Sequence, residues 1–211
     1  MEISQLKKEQ GQLASLIVVN KNNIKVEKLG GCDVVGLSNN DILCYVTVLD
    51  AKSMEVLDSA FYKNQAPMKY IPGYQGFREG SIIVDAFTRL KIKPDILMIK
   101  GHGIDHPRRC GIASQVGLQL DIPTIGVETR PLIGKFQEGK LIINGEIRAL
   151  EVKSTEHSNP ILVAPGHKVS LSQALELVRV CFKHPHKMPE PIFLAHKFAK
   201  KKTKDLNRKD I

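Results

Sequence analysis

The run Ile96-Leu97-Met98-Ile99, set between Pro94 and Gly101, restricts the fold of this chain more than any other segment. A strand with one wet face alternates apolar and polar residues, so an unbroken apolar strand must be covered on both faces, as at the centre of an α/β sheet. The flanking segments supply the covers. Phe77 to Leu90 places Ile83, Ala86, Phe87 and Leu90 at helical spacing and stops at Lys93-Pro94, and a second helix is expected from about Pro107 to Leu120. The strand Thr124 to Val127 follows, so this half of the chain alternates strand and helix.

Three strand-like runs precede the central strand, at 31–37, 41–50 and about 54–64, and the polar Ser38-Asn39-Asn40-Asp41 between the first two reads as a hairpin connection. A helix over 4–18, with Leu6, Leu13, Leu16 and Ile17 roughly on one face, opens the chain and ends in the Lys/Asn-rich stretch 20–25. A strand at 161–164 and the capping box Ser170-Leu171-Ser172-Gln173 predict a last helix through about Phe182. The expected fold is α/β: a mixed sheet, antiparallel meander then parallel strands, with helices on both faces. That is the ribonuclease H-like layout, although pattern alone leaves several α/β topologies open.

With 211 residues the chain suits one domain, expected over 1–196. Residues 197–211 carry seven basic and two acidic side chains and read as a basic C-terminal tail, more a solvated end than a binding arm. The net charge of +9 favours polyanionic partners, nucleic acid first. No apolar run reaches the roughly 18 residues of a membrane span. The charged start, Met1 to Lys8, carries no export signal, so the cytoplasm is the expected location. Cys32, Cys44, Cys110 and Cys181 never stand at C-x-x-C spacing, and buried reduced thiols are expected.

Two ordered blocks carry the chemistry. Tyr70-Ile71-Pro72-Gly73-Tyr74-Gln75-Gly76-Phe77-Arg78-Glu79 is followed by Gly101-His102-Gly103-Ile104-Asp105-His106-Pro107-Arg108-Arg109. Gly111-Ile112-Ala113-Ser114, Pro123-Thr124-Ile125-Gly126-Val127, Asn159-Pro160 and Gly166-His167-Lys168-Val169-Ser170 come after them in order. The combination closely resembles the endonuclease V family over about residues 31–183. The resemblance implies hydrolysis, dependent on Mg²⁺ or Mn²⁺, of a phosphodiester 3′ to a deaminated base such as hypoxanthine, in DNA or RNA. A monomer is the expected state.

Such chemistry needs carboxylates to hold a divalent ion that activates water and neutralises oxygens. Asp33, a carboxylate inside an apolar strand, and Glu79 are the expected metal ligands, Glu79 on the strength of the resemblance alone. The family's third acid falls on Lys100, whose ammonium is expected to pair with the other two and replace the metal's charge. Asp95 and Asp105 have the wrong register to take its place, and Glu128 is a weak substitute. The family's phosphate-contacting lysine falls on Thr129, and Arg130 replaces it only if the strand has already ended. His106 is the expected group for positioning water or phosphate, with a purely structural histidine as the alternative. His102 and His106 show a zinc-like spacing, but the glycines and Pro107 prevent a shared helical face. Arg108 and Arg109, expected at a helix N-terminus, are candidate phosphate contacts. By resemblance Tyr70, Ile71 and Pro72 form a wedge that enters the duplex, and Gln75, Gly76 and Gly101 line the base pocket.

Overall fold

The computed structural model describes residues 2–19 and 23–208. The meander consists of β1 (Lys28–Gly36), β2 (Asp41–Asp50) and β3 (Val56–Gln65), paired antiparallel with Cys32 opposite Val46. The central strand β4 (Ile96–Lys100) runs parallel to β1, and β5 (Thr124–Glu128) runs parallel to β4. The sheet continues antiparallel through β9 (Ile161–His167), β8 (Glu146–Val152), β7 (Lys140–Ile143) and β6 (Lys135–Gln137). Its order is β3-β2-β1-β4-β5-β9-β8-β7-β6. The expected parallel half is therefore limited to three strands, because β6, β7 and β8 form hairpins that charged residues hide from a pattern reading.

Strand β4 is buried on both faces, as its sequence requires. Leu97 and Ile99 pack with Ile82, Ile83 and Ala86 of α2 (Gln75–Thr88) and with Ile112 and Val116 of α3 (Ile112–Leu120). Ile96 and Met98 pack on the other side with Ala174 and Val178 of α4 (Leu171–Val180) and with Ile192 of α5 (Glu190–Asn207). Helix α4 starts as its capping box predicts, with Ser170 Oγ accepting from the Gln173 N–H at 3.1 Å. The first helix, α1 (Ile3–Ala14), buries Leu6 and Gln10 and ends four residues before the expected 18, so that Leu16 lies beyond it, 62% exposed. Of the stretch 20–25 expected to end it, residues 20–22 lie outside the described residues.

The last helix is α5, not α4. Most of the stretch read as a solvated tail belongs to it, and Ala195 and Ala199 are fully buried against the sheet. Residues 209–211 lie outside the described residues. All four cysteines are buried and free, and burial pushes the Cys110 and Cys181 thiols up to about 12. Among the described residues no helix is long and apolar enough to cross a membrane.

Candidate functional site

Asp33 stands near the end of β1 and is only 4% exposed. A buried carboxylate needs partners, and it has three. Oδ1 accepts from the Val34 N–H at 3.0 Å and lies 3.8 Å from Lys100 Nζ, while Oδ2 accepts from His196 Nδ1 at 2.5 Å. Lys100 closes β4, and because Cys32 is opposite Ile99 in a parallel pair, Asp33 and Lys100 fall on one side of the sheet. His196 arrives from α5, whose start lies directly on the backbone of β1. A Cβ at Gly31 would sit 2.2 Å from the Pro191 carbonyl carbon, and Thr47 Oγ1 donates to the Pro191 carbonyl at 2.9 Å.

Glu79 projects from the second turn of α2, because the helix begins at Gln75 and not at Phe77. Its Oε2 accepts from Gln75 Nε2 at 2.8 Å, an i,i+4 bond, and its Oε1 lies 3.9 Å from Arg78 Nε. Burial pushes this carboxyl above the usual carboxylate range; the charge of Asp33 adds to the rise, and Gln75, Arg78 and Lys100 oppose it. Asp33, Glu79 and Lys100 thus share one electrostatic neighbourhood.

The donor set does not fit a three-acid metal site. Among the described residues no three His, Cys, Asp or Glu side chains converge to hold an ion. A protonated lysine cannot ligate a cation and repels it. Neither candidate replacement reaches the site: Asp95 Oδ2 accepts from the Glu27 and Lys28 N–H groups at 2.8 Å beside the start of β4, and Asp105 is bonded to His102. Glu128 Oε1 accepts from the N–H (2.7 Å) and hydroxyl (3.1 Å) of exposed Thr129. Strand β5 ends at Glu128, so the condition that frees Arg130 from the far face of the strand is met.

Next to the acids opens a cleft with about 350 Å³ of empty space, lined in part by Tyr70, Gly73, Gln75, Gly76, His102 and His106. Tyr70 is 59% exposed and Pro72 is exposed, while Ile71 is half-buried. The turn that carries them is fixed at one atom. The carbonyl of Gly73 (φ +80°) accepts from His106 Nε2 at 2.8 Å, Arg108 Nη2 at 3.0 Å and Gln10 Nε2 at 3.3 Å. Arg108 Nε also donates to Gln10 Oε1 at 2.7 Å, and its guanidinium lies 4.6 Å from the centre of the Tyr74 ring.

His106 therefore has both ring nitrogens engaged, since Nδ1 accepts from the Arg108 N–H at 3.1 Å while Nε2 donates to Gly73. Burial holds its pKa down to about 4, so the ring is neutral. In this arrangement it fixes the turn that carries Tyr70 to Gly73 and has no nitrogen left for water or phosphate. Helix α3 begins at Ile112, so Arg108 and Arg109 precede it in turns and the helix-dipole argument for them lapses. Arg109 adopts φ +56° and bonds through Nη1 to Glu146 Oε2, which also accepts from Arg148 Nε at 2.7 Å.

Gln75 and Gly76 line the cleft, and Gly101 backs it: a Cβ there would meet Ile112 Cγ2 at 2.4 Å and Gln75 Oε1 at 3.1 Å. His102 Nδ1 donates to Asp105 Oδ2 at 2.6 Å, and Asp105 Oδ1 accepts from the Gly103 N–H at 2.7 Å. Burial works against the charged His102 ring, but Asp105 and Glu128 outweigh it and raise the pKa. The two histidines with zinc-like spacing thus serve different partners.

Three contributors escaped the sequence reading. Gln10 gave no signal, being one of three glutamines on an otherwise ordinary helix. Asp105 was weighed only as a displaced ligand. His196 was legible in principle, because Pro189-Glu190-Pro191 is a helix-start signature and Ile192, Ala195 and Ala199 follow at helical spacing.

A family model described as Endonuclease V matches residues 11–197. Endonuclease V of Dictyoglomus thermophilum is 39% identical over 181 residues, covering 82% of this chain and 78% of that protein. Endonuclease V of Streptomyces avermitilis superposes with a TM-score of 0.90 at 22% identity, covering 98% of this chain and 95% of that one. Ciona intestinalis endonuclease V (D234N), solved with a 23mer DNA containing an inosine followed by a ribo-adenosine, gives a TM-score of 0.87 at 26% identity, covering 97% and 98%. Endonuclease V nucleases are generally dependent on divalent metals. With a family model spanning most of its length and a relative well above 30% identity, this chain belongs to the endonuclease V family.

Proposed function

We propose that this chain recognises deaminated bases, hypoxanthine first, in DNA or RNA, and that its hydrolysis of the neighbouring phosphodiester is strongly impaired. Recognition is supported by a cleft of base-lining residues beside an exposed Tyr70 on a turn held by three donors. It is supported also by the inosine-containing DNA bound to the Ciona intestinalis relative. Impairment rests on one observation: Asp33 is already bonded to His196 and faced by the Lys100 ammonium at 3.8 Å. A carboxylate that is already hydrogen-bonded and faced by an ammonium offers less free negative charge to a divalent ion. A second reading, metal-dependent cleavage as in the family, is favoured by the exposure of Lys100, 40% for its side chain, which lets the ammonium move aside.

The test uses matched oligonucleotides with and without one inosine. Selective binding in EDTA, with slow or no cleavage in Mg²⁺ or Mn²⁺, is the expected result. Equal affinity for the two oligonucleotides refutes recognition, and cleavage at rates ordinary for the family refutes impairment.

A further inference from the structure

Helix α5 starts its exposed face at the residue bonded to Asp33. From His196, steps of four residues reach Lys200, Lys204 and Arg208, and Lys197 and Lys201 lie on the same flank. All five cations are exposed, and among the described residues none of them forms an ion pair. At 100° per residue they occupy a stripe about 100° wide, bordered by Asp205, while Ile192, Ala195 and Ala199 anchor the opposite face. Successive members of the Lys200, Lys204, Arg208 row are separated by about 6 Å of helix rise, and the row ends about 18 Å from His196. The family match ends at residue 197, so all but the first of these cations lie beyond it.

Like charges on one stripe repel one another, and among the described residues no carboxylate is ion-paired with them, Asp205 only bordering the stripe. Long solvated side chains at regular spacing are suited to a regular polyanion, which gains from counterion release. A folded acidic protein would call for apolar anchors among the charges, and the stripe has none. We propose that this face of α5 is a track for the sugar-phosphate backbone of the bound nucleic acid, extending the contact away from the cleft along a single strand. It rests on the reading that the cleft binds nucleic acid, and it adds a sequence-independent contact that the cleft does not provide.

The test compares the wild-type chain with the triple variant Lys200→Gln, Lys204→Gln, Arg208→Gln. Binding to single-stranded oligonucleotides, with and without inosine, is measured against salt concentration. Loss of three phosphate contacts reduces the slope of log K against log salt by about 2. The affinity loss is expected to be equal for the two long oligonucleotides, leaving the inosine preference intact, and absent for an oligonucleotide too short to extend beyond the cleft. An unchanged slope, or an equal loss on the short oligonucleotide, overturns the track. Lost binding to anionic phospholipid vesicles with an unchanged nucleic-acid slope overturns it in favour of a membrane surface. If the slope falls but the wild type shows no inosine preference, the track stands and base recognition fails. Unfolding temperatures of the two proteins confirm that the exposed substitutions leave the fold intact.

Discussion

Replacing Lys100 by aspartate tests the electrostatic argument at its source. At 3.8 Å and an effective dielectric of about 20, a unit charge pair interacts by about 4 kcal/mol. The lysine side chain is 40% exposed, so solvent screening reduces this to about 1 kcal/mol. Toward a doubly charged ion the repulsion doubles, and a carboxylate at the same place contributes attraction of similar size. A total near 4 kcal/mol corresponds to roughly a thousandfold gain in affinity. Mn²⁺ binding, followed by paramagnetic resonance or calorimetry, is therefore expected to tighten about a thousandfold in Lys100→Asp. The neutral Lys100→Met should give about a thirtyfold gain, because it removes about 2 kcal/mol of repulsion without adding a ligand. Without metal, Lys100→Asp should unfold at lower temperature than the wild type, since a third carboxylate then crowds Asp33 and Glu79. Affinities of all three proteins within threefold of one another, or tight binding already in the wild type, would refute the reasoning.

Other consequences are open to direct measurement. His106 has a depressed pKa, so its contribution to stability is complete above the unfolded value near 6.5 and is lost as pH falls toward about 4. That loss amounts to at most about 3 kcal/mol, and urea unfolding of wild type and His106→Gln at pH 7 and pH 4.5 should show a smaller pH effect in the variant. Asp105→Asn should lower the His102 pKa, read by NMR titration of the ring; an unchanged titration would mean that Asp105 does not hold the charge. Gly31→Ala drives a methyl into the Pro191 backbone, and a cost of about 1–3 kcal/mol is expected in thermal unfolding. An unchanged midpoint would show that α5 is free to shift away from β1.

What could be read in advance follows from what the sequence encodes locally. The buried strand Ile96 to Ile99, the meander and the Ser170 cap express themselves through neighbouring residues, and each was found within a few positions. The boundaries that failed did so for local reasons. Arg108 and Arg109 looked like the opening of a helix because a turn with Arg109 at φ +56° leaves no mark in composition. The later part of helix α5 looked like a solvated tail because from residue 197 on its lysines outnumber its apolar residues, although two prolines announce the start of the helix. The contacts that matter most join distant segments: Gln10 to Gly73, Gly73 to Arg108, and Asp33 to His196. No single-sequence pattern reports these pairings, since even where one partner stands out, as Asp33 does, nothing in its own neighbourhood names the other.

Those long-range contacts fall into two groups, and their separation is what the proposed recognition without efficient cleavage requires. The turn carrying Tyr70 to Gly73 is organised around the Gly73 carbonyl by Gln10, His106 and Arg108, none of which is bonded to Asp33. The acid site is organised around Asp33 by Lys100 and His196, neither of which lines the cleft. Among the described residues one side-chain hydrogen bond, Gln75 to Glu79, joins the cleft to the acids. A charge reversal at Lys100 therefore changes what Asp33 and Glu79 can hold while leaving the supports of the Gly73 turn untouched. Mutations at separate, unshared networks add independently, so Lys100→Asp combined with His106→Gln should show the metal gain of the first and the reduced pH dependence of stability of the second, each at full size. Coupling between them well above about 0.5 kcal/mol would show that the Gln75 link carries more than its single bond suggests.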